Sequence, residues 1–369
     1  MARRKDVYRG KRRHRFPTVP VLTVLALLLA VAAILFYGLQ KYAVYSEDGV
    51  TLAIPGLTRQ SAQEEDETLP SDGPRPIHDV PADIVVDPAD FSGVALRDGA
   101  GLAPLHGRWF SQAAMRSGAL DTLGAATAQT DTLVLEMTDG DGALFWASAS
   151  ETAQGYAVNG QADLSALTAP LLDKGYTLAA AVSCTQQTLL AKRCPAMALR
   201  TASGEPYADA SGAWLDPYSL QVREYLLALI TELYEAGFSE VVLTGLSFPS
   251  DDGSVYYARE RLGASTPRAA VSALAVWLGR SVPEGLTFSV WLETDAVRGT
   301  GSEETESAQD AELFSRVFDR FYLTTGVYEL PYDAESLNAI TGRDVTDRFT
   351  PVLYSLPESG SYVLTYDAA

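Results

Sequence analysis

The chain has little of the residue types on which metal and nucleophile chemistry depends. Its 369 residues include two cysteines and three histidines, and His14, His78 and His106 are far apart. They form no HExxH pair, Cys/His cluster or Ser-His-Asp order, and no phosphate-binding glycine loop follows a predicted strand. The sequence therefore predicts no metal ion and no cofactor.

The two cysteines, Cys184 and Cys194, are ten positions apart. In an oxidising compartment they could form a disulfide that closes a short loop. Alternatively, both cysteines could be small, buried apolar side chains that do not contact each other. The spacing leaves both interpretations open and excludes a CxxC zinc or redox motif.

Positive charge is scarce beyond the amino terminus. Residues 1–15 carry eight Lys/Arg and one Asp, whereas the whole chain has a net charge of −19. The remainder is therefore strongly acidic and repels phosphate backbones. We expect no nucleic-acid binding by the main domain.

A single long apolar run, residues 16–40, contains no charged side chain. A helix needs about 20 residues to cross the hydrocarbon layer of a membrane, so this run predicts a transmembrane helix. The basic residues before it predict a cytoplasmic amino terminus and an extracytoplasmic remainder. A cleaved signal peptide would have a shorter apolar region and a small-x-small cleavage site.

Two short segments separate this run from the main domain. Residues 41–58 predict a hairpin next to the membrane, with Asp48 and Gly49 as the turn pair. Residues 59–91 are rich in acids and prolines, which predicts a disordered linker.

Residues 92–369 alternate between strand-like and helix-like stretches. Two helices are clear, one ending at Gly237 and one beginning with Thr266 as N-cap and Pro267 in its first turn. The candidate strands number eight, at 105–110, 132–137, 177–182, 241–245, 286–292, 320–325, 350–356 and 361–366. This count predicts an α/β fold, a (β/α)8 TIM-barrel-like domain.

Three motifs in this domain occur in a recognisable order. They are "LVLEMTDGDG" (133–142), "WLDPYS" (214–219) and "GFSEVVLTGLSFPSDDG" (237–253). Over about residues 105–255 the chain resembles the bacterial family of putative glycosyl hydrolase domains, with its "VIDVKDDDG", "WVDPYS" and "GFDEIQFDYVRFPSDG" motifs. The resemblance implies a TIM barrel and a carbohydrate ligand.

The chain departs from the family motif where chemistry would be expected. Thr244 and Ser247 stand where the family has Asp and Arg, and Glu136 replaces the first Asp of the earlier motif. Glycoside hydrolysis usually needs two carboxyl groups, and a threonine supplies none. The sequence thus predicts a barrel that binds envelope or extracellular glycan with a degraded catalytic site, that is, a pseudoenzyme.

Two other hypotheses remain open. Glu136 and Glu293 could act as relocated catalytic carboxylates in a working glycosidase, or the domain could be a structural or protein-binding envelope module. The predicted substrate-binding residues are Trp214, Asp216, Asp139, Thr244, Trp146 and Asp251. Core packing is favoured over sugar stacking for Trp109 and Trp291. The acidic stretch 299–312 is expected to be a solvated loop, with a cover over the barrel mouth as the alternative.

Overall fold

The computed structural model divides the chain into two compact units, Met1–Gly73 and Pro74–Ala369. The residues it describes are 43–46, 49–52, 91, 93–99, 101–201, 203–249, 255, 266–299 and 306–365. Residues 1–15, 16–40 and Asp251, and nearly all of 59–91, lie outside these ranges. Within the described ranges, no helix is both long and apolar enough to span a bilayer.

In the first unit, two strands pair antiparallel inside the segment predicted to form a hairpin. They are β1 (Ala43–Ser46) and β2 (Gly49–Leu52), with Ser46 opposite Gly49. Of the predicted turn pair, Gly49 begins β2, and Asp48 lies outside the described residues.

The second unit is built on eight parallel strands that close into a barrel. In barrel order they are β3 (His106–Phe110), β4 (Thr132–Glu136), β5 (Thr177–Ser183), β8 (Glu240–Thr244), β9 (Thr287–Trp291), β10 (Arg320–Thr324), β11 (Phe349–Leu353) and β12 (Tyr362–Thr365). Strand β12 pairs with β3 and closes the barrel. The predicted TIM-barrel-like fold is confirmed, with every strand within two residues of its expected bounds at its start and three at its end.

Helices connect most of the barrel strands. They are α1 (Gln112–Arg116), α2 (Glu151–Gly155), α3 (Leu164–Asp173), α4 (Thr188–Arg193), α5 (Leu220–Glu235), α6 (Pro267–Ser281), α7 (Thr294–Arg298), α8 (Ala311–Val317) and α9 (Leu330–Thr341). Short 3-10 turns occupy Ala119–Thr122, Pro195–Met197 and Thr346–Arg348, and a small hairpin, β6 (Ala208–Asp209) with β7 (Gly212–Ala213), lies between α4 and α5.

Local sequence signals fix the ends of the two long helices. The Thr266 side chain accepts a hydrogen bond from the Ala269 amide and caps α6 at its start. Ser219 caps α5 in the same way, and Gly237 follows the last turn of α5 with a φ of 100°. The left-handed backbone there favours glycine and ends the helix as expected.

Side chains along each barrel strand point alternately outward and inward, and they form two separate apolar clusters. Side chains between the barrel and its helices form a large outer core. A smaller inner cluster fills the barrel with Leu105, Val134, Ala179, Ala181, Val242, Tyr322, Val352 and Val363. The barrel is therefore packed and solid, which confines ligand binding to its ends.

The base of the barrel holds a buried polar cluster that the sequence analysis missed. Glu240 Oε1 accepts hydrogen bonds from the hydroxyls of Ser289 (2.7 Å) and Tyr322 (2.8 Å). Arg320 lies 3.5 Å from the same oxygen and contacts Thr350 at 3.4 Å. Burial raises the pKa of Glu240, and Arg320 and the two hydroxyls oppose that rise. Partners on the neighbouring strands β9 and β10 therefore compensate a negative charge on Glu240 inside the barrel.

We expect Glu240 to give folding a distinctive pH dependence. Because its pKa is higher in the folded than in the unfolded state, its contribution to stability is complete below about pH 4.5 and is lost as the pH rises through the raised value. The Glu240→Gln variant should lack this part of the pH dependence, measured as denaturant midpoints from about pH 4 to 8. Glu224→Gln, at an exposed position of α5, is the matched control. An unchanged pH profile in Glu240→Gln would contradict the assignment.

Candidate functional site

The carboxyl ends of the barrel strands form a mouth with an aromatic floor. Trp109, at the end of β3, and Trp291, at the end of β9, pack on the inner apolar cluster and are only partly buried. Their rings meet edge to face with centroids 5.3 Å apart, and Trp291 stacks on Tyr322 at 6.3 Å. The sequence favours core packing for both tryptophans, and both do pack on the inner cluster. Inward alternation at the strand ends also places them where a ligand would enter.

Glu136 is the inward residue at the end of β4. It pairs in register with Ala181 of the inner cluster, and its Oε2 accepts a hydrogen bond of 2.8 Å from the Gln112 amide. Burial is the main cause that raises the pKa of Glu136, and Asp139 raises it further, while the Gln112 amide and Arg116 oppose the rise. The Glu136 side chain is half-buried, and its carboxyl consequently binds a proton more tightly than a solvated glutamate does.

Thr244 is the inward residue at the end of β8. It lies opposite Ser183 of β5 in the strand register and is half-buried. Its carbonyl accepts the Cys184 amide at 2.8 Å, so the backbone pairing continues past the strand end. This position holds a neutral hydroxyl, where the family motif has an aspartate.

Two more departures from the family motif are structural: Thr138, which stands where the family's earlier motif has Lys, and Ser247. Thr138 Oγ1 accepts a hydrogen bond from the Ser183 amide and fastens the end of β4 to β5. Ser247 is buried, and the Thr185 hydroxyl donates to its carbonyl at 2.6 Å. The Thr138 hydroxyl and the Ser247 backbone join chain segments at the mouth, and neither side chain supplies a cation for a ligand.

Glu293 follows β9 and begins α7. Its amide donates to Gln309 Oε1 at 2.8 Å, and burial followed by the nearby Asp295 raises the pKa of its carboxyl. Gln309 is almost fully buried and also donates to the carbonyls of Leu246 and Trp291 at 3.0 and 3.1 Å. One amide side chain thereby ties the ends of β8 and β9 together.

This placement of Gln309 corrects the interpretation of 299–312 as a solvated loop. Ser307 is buried too, and its amide and hydroxyl each donate to Asp295 at 2.9 Å. Residues 300–305 lie outside the described ranges. The polar composition of the stretch concealed its role, since such side chains become buried only when the tertiary fold supplies partners.

The two candidate catalytic carboxyls have separate electrostatic surroundings. Asp139 and Arg116 are the charged groups that influence Glu136, and Asp295 is the one that influences Glu293. Among the described residues, the two pKa shifts therefore have different charged neighbours, and neither glutamate is a cause of the other's shift. Across the described ranges, no group of three His, Cys, Asp or Glu side chains gathers as metal ligands.

Trp214 and Asp216 lie in the loop that crosses the ends of β5 and β8. Trp214 is buried beside Gln186, and its indole nitrogen has no hydrogen-bond partner among the residues that the structure describes. Asp216 is buried, and its Oδ1 accepts the Tyr218 amide at 2.9 Å, which stabilises the turn before α5. The geometry of Asp216 is that of a turn cap.

Trp146 and Asp139, both predicted to contact the ligand, have structural partners within the protein instead. Trp146 is 1% exposed, and its indole donates to Glu232 of α5 at 2.8 Å, so the ring packs beneath an outer helix. Asp139 Oδ1 accepts the amides of Asp141 and Ala143 and shapes the loop after β4. Trp146 therefore offers no face for stacking, whereas Asp139 influences the site through the pKa of Glu136.

The two cysteines are free thiols, and both are buried. The disulfide considered from the sequence is therefore absent, and the alternative of two small buried side chains describes the structure. Burial raises the pKa of the Cys184 thiol, which keeps it protonated and unreactive.

Solved structures with similar folds include several glycoside hydrolases. A hypothetical protein from Ruminiclostridium thermocellum matches at 16% identity and TM-score 0.41, over 50% of this chain and 96% of its own. Aspergillus fumigatus Ega3, solved with galactosamine, matches at 8% identity and a TM-score of 0.39. The match covers 68% of this chain and 78% of Ega3. The glycoside hydrolase domain of PelA from Pseudomonas aeruginosa matches at 14% identity and a TM-score of 0.39. The match covers 72% of this chain and 96% of the PelA domain. Similarity at this level does not extend to substrate or chemistry.

A comparison of the chain with protein-family models gives a direct match. None of the curated proteins matches significantly. A family model described as a putative glycosyl hydrolase domain matches residues 109–321, more than half of the chain, from Trp109 at the floor of the mouth to β10. The chain therefore belongs to this family of glycosyl-hydrolase-like barrels.

Proposed function

We propose that the barrel binds a glycan at its mouth without hydrolysing it efficiently. The observation that carries this proposal is the inward position of Thr244 at the end of β8, opposite Ser183. A hydroxyl there has no negative charge to attack a sugar or to activate water. The aromatic floor of Trp109 and Trp291 supports binding, because flat rings offer an apolar surface to the face of a sugar.

The charge around the mouth restricts the kind of glycan. The acidic side chains at the end of β4 and after it are Glu136, Asp139 and Asp141, and those after β9 are Glu293 and Asp295. Arg116 is the cation that influences Glu136. An acidic mouth repels uronates and phosphates, so the proposed ligand is a neutral or amine-bearing glycan. Binding of an amine-bearing glycan should weaken as salt rises, whereas binding of a neutral one should not.

The proposed location is the outer face of a cell membrane. Residues 1–15 would remain cytoplasmic, residues 16–40 would span the bilayer, and residues 59–91 would tether the barrel in the envelope. The support is the uncharged run of 25 residues and its basic amino-terminal flank. Alkaline extraction of membranes should leave the full-length chain in the pellet, and a protease added outside the cell should remove the barrel.

A glycan panel with two variants tests the binding proposal. Wild type should bind a neutral or amine-bearing polysaccharide and release no reducing ends. Thr244→Asp restores a carboxylate at the end of β8 and should raise reducing-end release above background. Thr127→Asp, which adds the same charge at an exposed turn before β4, is the control. Release by wild type that is abolished in Glu136→Gln would overturn the proposal.

A working glycosidase is the second candidate, and one observation favours it. Burial raises the pKa of both Glu136 and Glu293, which is the property of a general acid. Hydrolysis through Glu136 as the acid should therefore fall as the pH rises through its raised pKa.

Wild type that binds no polysaccharide of the panel would instead favour the third hypothesis, a structural or protein-binding envelope module.

A further inference from the structure

Four large apolar side chains are exposed on the two segments that follow the neighbouring strands β10 and β11, at the carboxyl end of the barrel. Tyr328 is 96% exposed, Tyr332 60%, Tyr354 69% and Leu356 60%. We call this set the tyrosine rim. Single exposed apolar residues are ordinary, but several on neighbouring segments at one end of a barrel indicate an interaction surface.

The strand register places the tyrosine rim beside the mouth. Thr324 of β10 is opposite Val352 of β11, and the Thr325 amide donates to the Val352 carbonyl at 3.2 Å. Tyr328 and Tyr354 follow these two neighbouring strands by a few residues. Strand β10 also pairs with β9, where Tyr322 is opposite Trp291 of the aromatic floor. The rim thus continues the mouth over β10 and β11.

The backbone beneath the tyrosine rim is held firmly although its side chains face water. The Arg298 guanidinium makes two hydrogen bonds, of 2.6 and 2.7 Å, to the fully buried Asp333, the neighbour of Tyr332. The amides of Glu329 and Leu330 both donate to the Gly326 carbonyl at 3.2 Å and close the turn that carries Tyr328. A fixed base reduces the entropy lost when the rings bind a ligand.

The composition of the tyrosine rim favours a sugar chain as its occupant. Three of its four members are tyrosines, which combine a flat apolar face with a hydroxyl group. The exposed charged residues within residues 326–338 and 354–361 are Glu329, Glu335 and Glu358, all of them acids, whereas the buried Asp333 is paired with Arg298. This charge matches a neutral or amine-bearing ligand and disfavours an anionic one.

We infer that the tyrosine rim is a second sugar-binding platform, so that the protein binds a glycan polymer across both the mouth and the rim. The inference rests on the proposed function of the mouth. It adds that affinity increases with the length of the oligosaccharide, because longer chains contact the rim as well as the aromatic floor.

Oligosaccharides of increasing length, cut from the polysaccharide that wild type binds, test this inference on the full-length chain. Wild-type affinity should rise with length. The Tyr328→Ala/Tyr354→Ala double variant should lose on the order of 10- to 30-fold in affinity for long oligosaccharides and bind short ones as wild type does. Phenylalanine at both positions should retain the length dependence, since stacking needs the ring.

Controls separate this inference from the proposed function. Tyr234→Ala removes a tyrosine at the end of α5, away from the rim, and should leave the dependence of affinity on oligosaccharide length unchanged. Length-independent binding by wild type, or length dependence that survives in the double variant, would overturn the rim while leaving the mouth proposal intact. A shift of oligomeric state in the double variant alone would make the rim a subunit contact and overturn the inference. Absence of any glycan binding by wild type would overturn both.

Discussion

Replacing Trp291 with alanine should weaken glycan binding by about 30-fold, which corresponds to about 2 kcal/mol for an aromatic residue at the centre of a binding surface. Trp291 lies at the centre of the aromatic floor, between Trp109 and Tyr322. Its removal takes away one stacking surface and also frees the ring of Trp109 to move. Calorimetric titration with the bound polysaccharide measures the loss.

Two further variants make this prediction specific. Trp291→Phe keeps a flat ring and should retain most of the affinity. Trp277→Ala removes a tryptophan from the outer surface of α6, where it packs against the outer core, and should lower stability without changing affinity. If Trp291→Ala binds as tightly as wild type at matched unfolding midpoints, the ligand does not contact the floor of the mouth.

Replacing Asp333 with alanine should lower the free energy of unfolding by about 3 kcal/mol. Asp333 is fully buried and accepts hydrogen bonds from Arg298 and from the Thr325 hydroxyl. Breaking a buried pair by removing one partner usually costs about 3–5 kcal/mol, because the remaining charge loses its compensation. The lower end applies here, since the Arg298 side chain is 32% exposed and water can solvate part of the charge.

Chemical denaturation of the full-length chain measures this loss. Asp347→Ala, at an exposed position of the 3-10 turn before β11, should leave the midpoint unchanged. The same Asp333 variant should also reduce the gain in affinity with oligosaccharide length, because the base of the tyrosine rim is loosened. An unfolding midpoint equal to that of wild type would show that Asp333 does not stabilise the loop after β10.

The glutamates show why a site is harder to predict than a fold. Glu136 is identifiable because its strand is evident and it is the last residue of that strand. Glu240 lies at the start of an equally evident strand, yet its burial and its partners on β9 and β10 are invisible in the sequence. Those partners are 49 and 82 residues away along the chain and meet only when the barrel closes.

The tryptophans give the same lesson for binding surfaces. Trp146 and Trp214 are the preferred ligand-facing candidates in the sequence, but the Trp146 indole turns outward and donates to Glu232. Trp109 and Trp291 face the mouth because strand alternation and barrel curvature aim them inward. Gln309 was missed because its stretch reads as a polar loop, and three distant partners were needed to bury it.

The sequence by itself determined the eight strands, the two long helices with their caps, and the family to which the barrel belongs. These depend on periodicity, capping residues and motif order, which are local. The tertiary structure alone decided that the cysteines stay apart, that the aromatic floor is Trp109 with Trp291, and that Glu136 and Glu293 have separate surroundings. Those outcomes depend on which side chains the closed barrel brings together, and that is set by long-range register and packing.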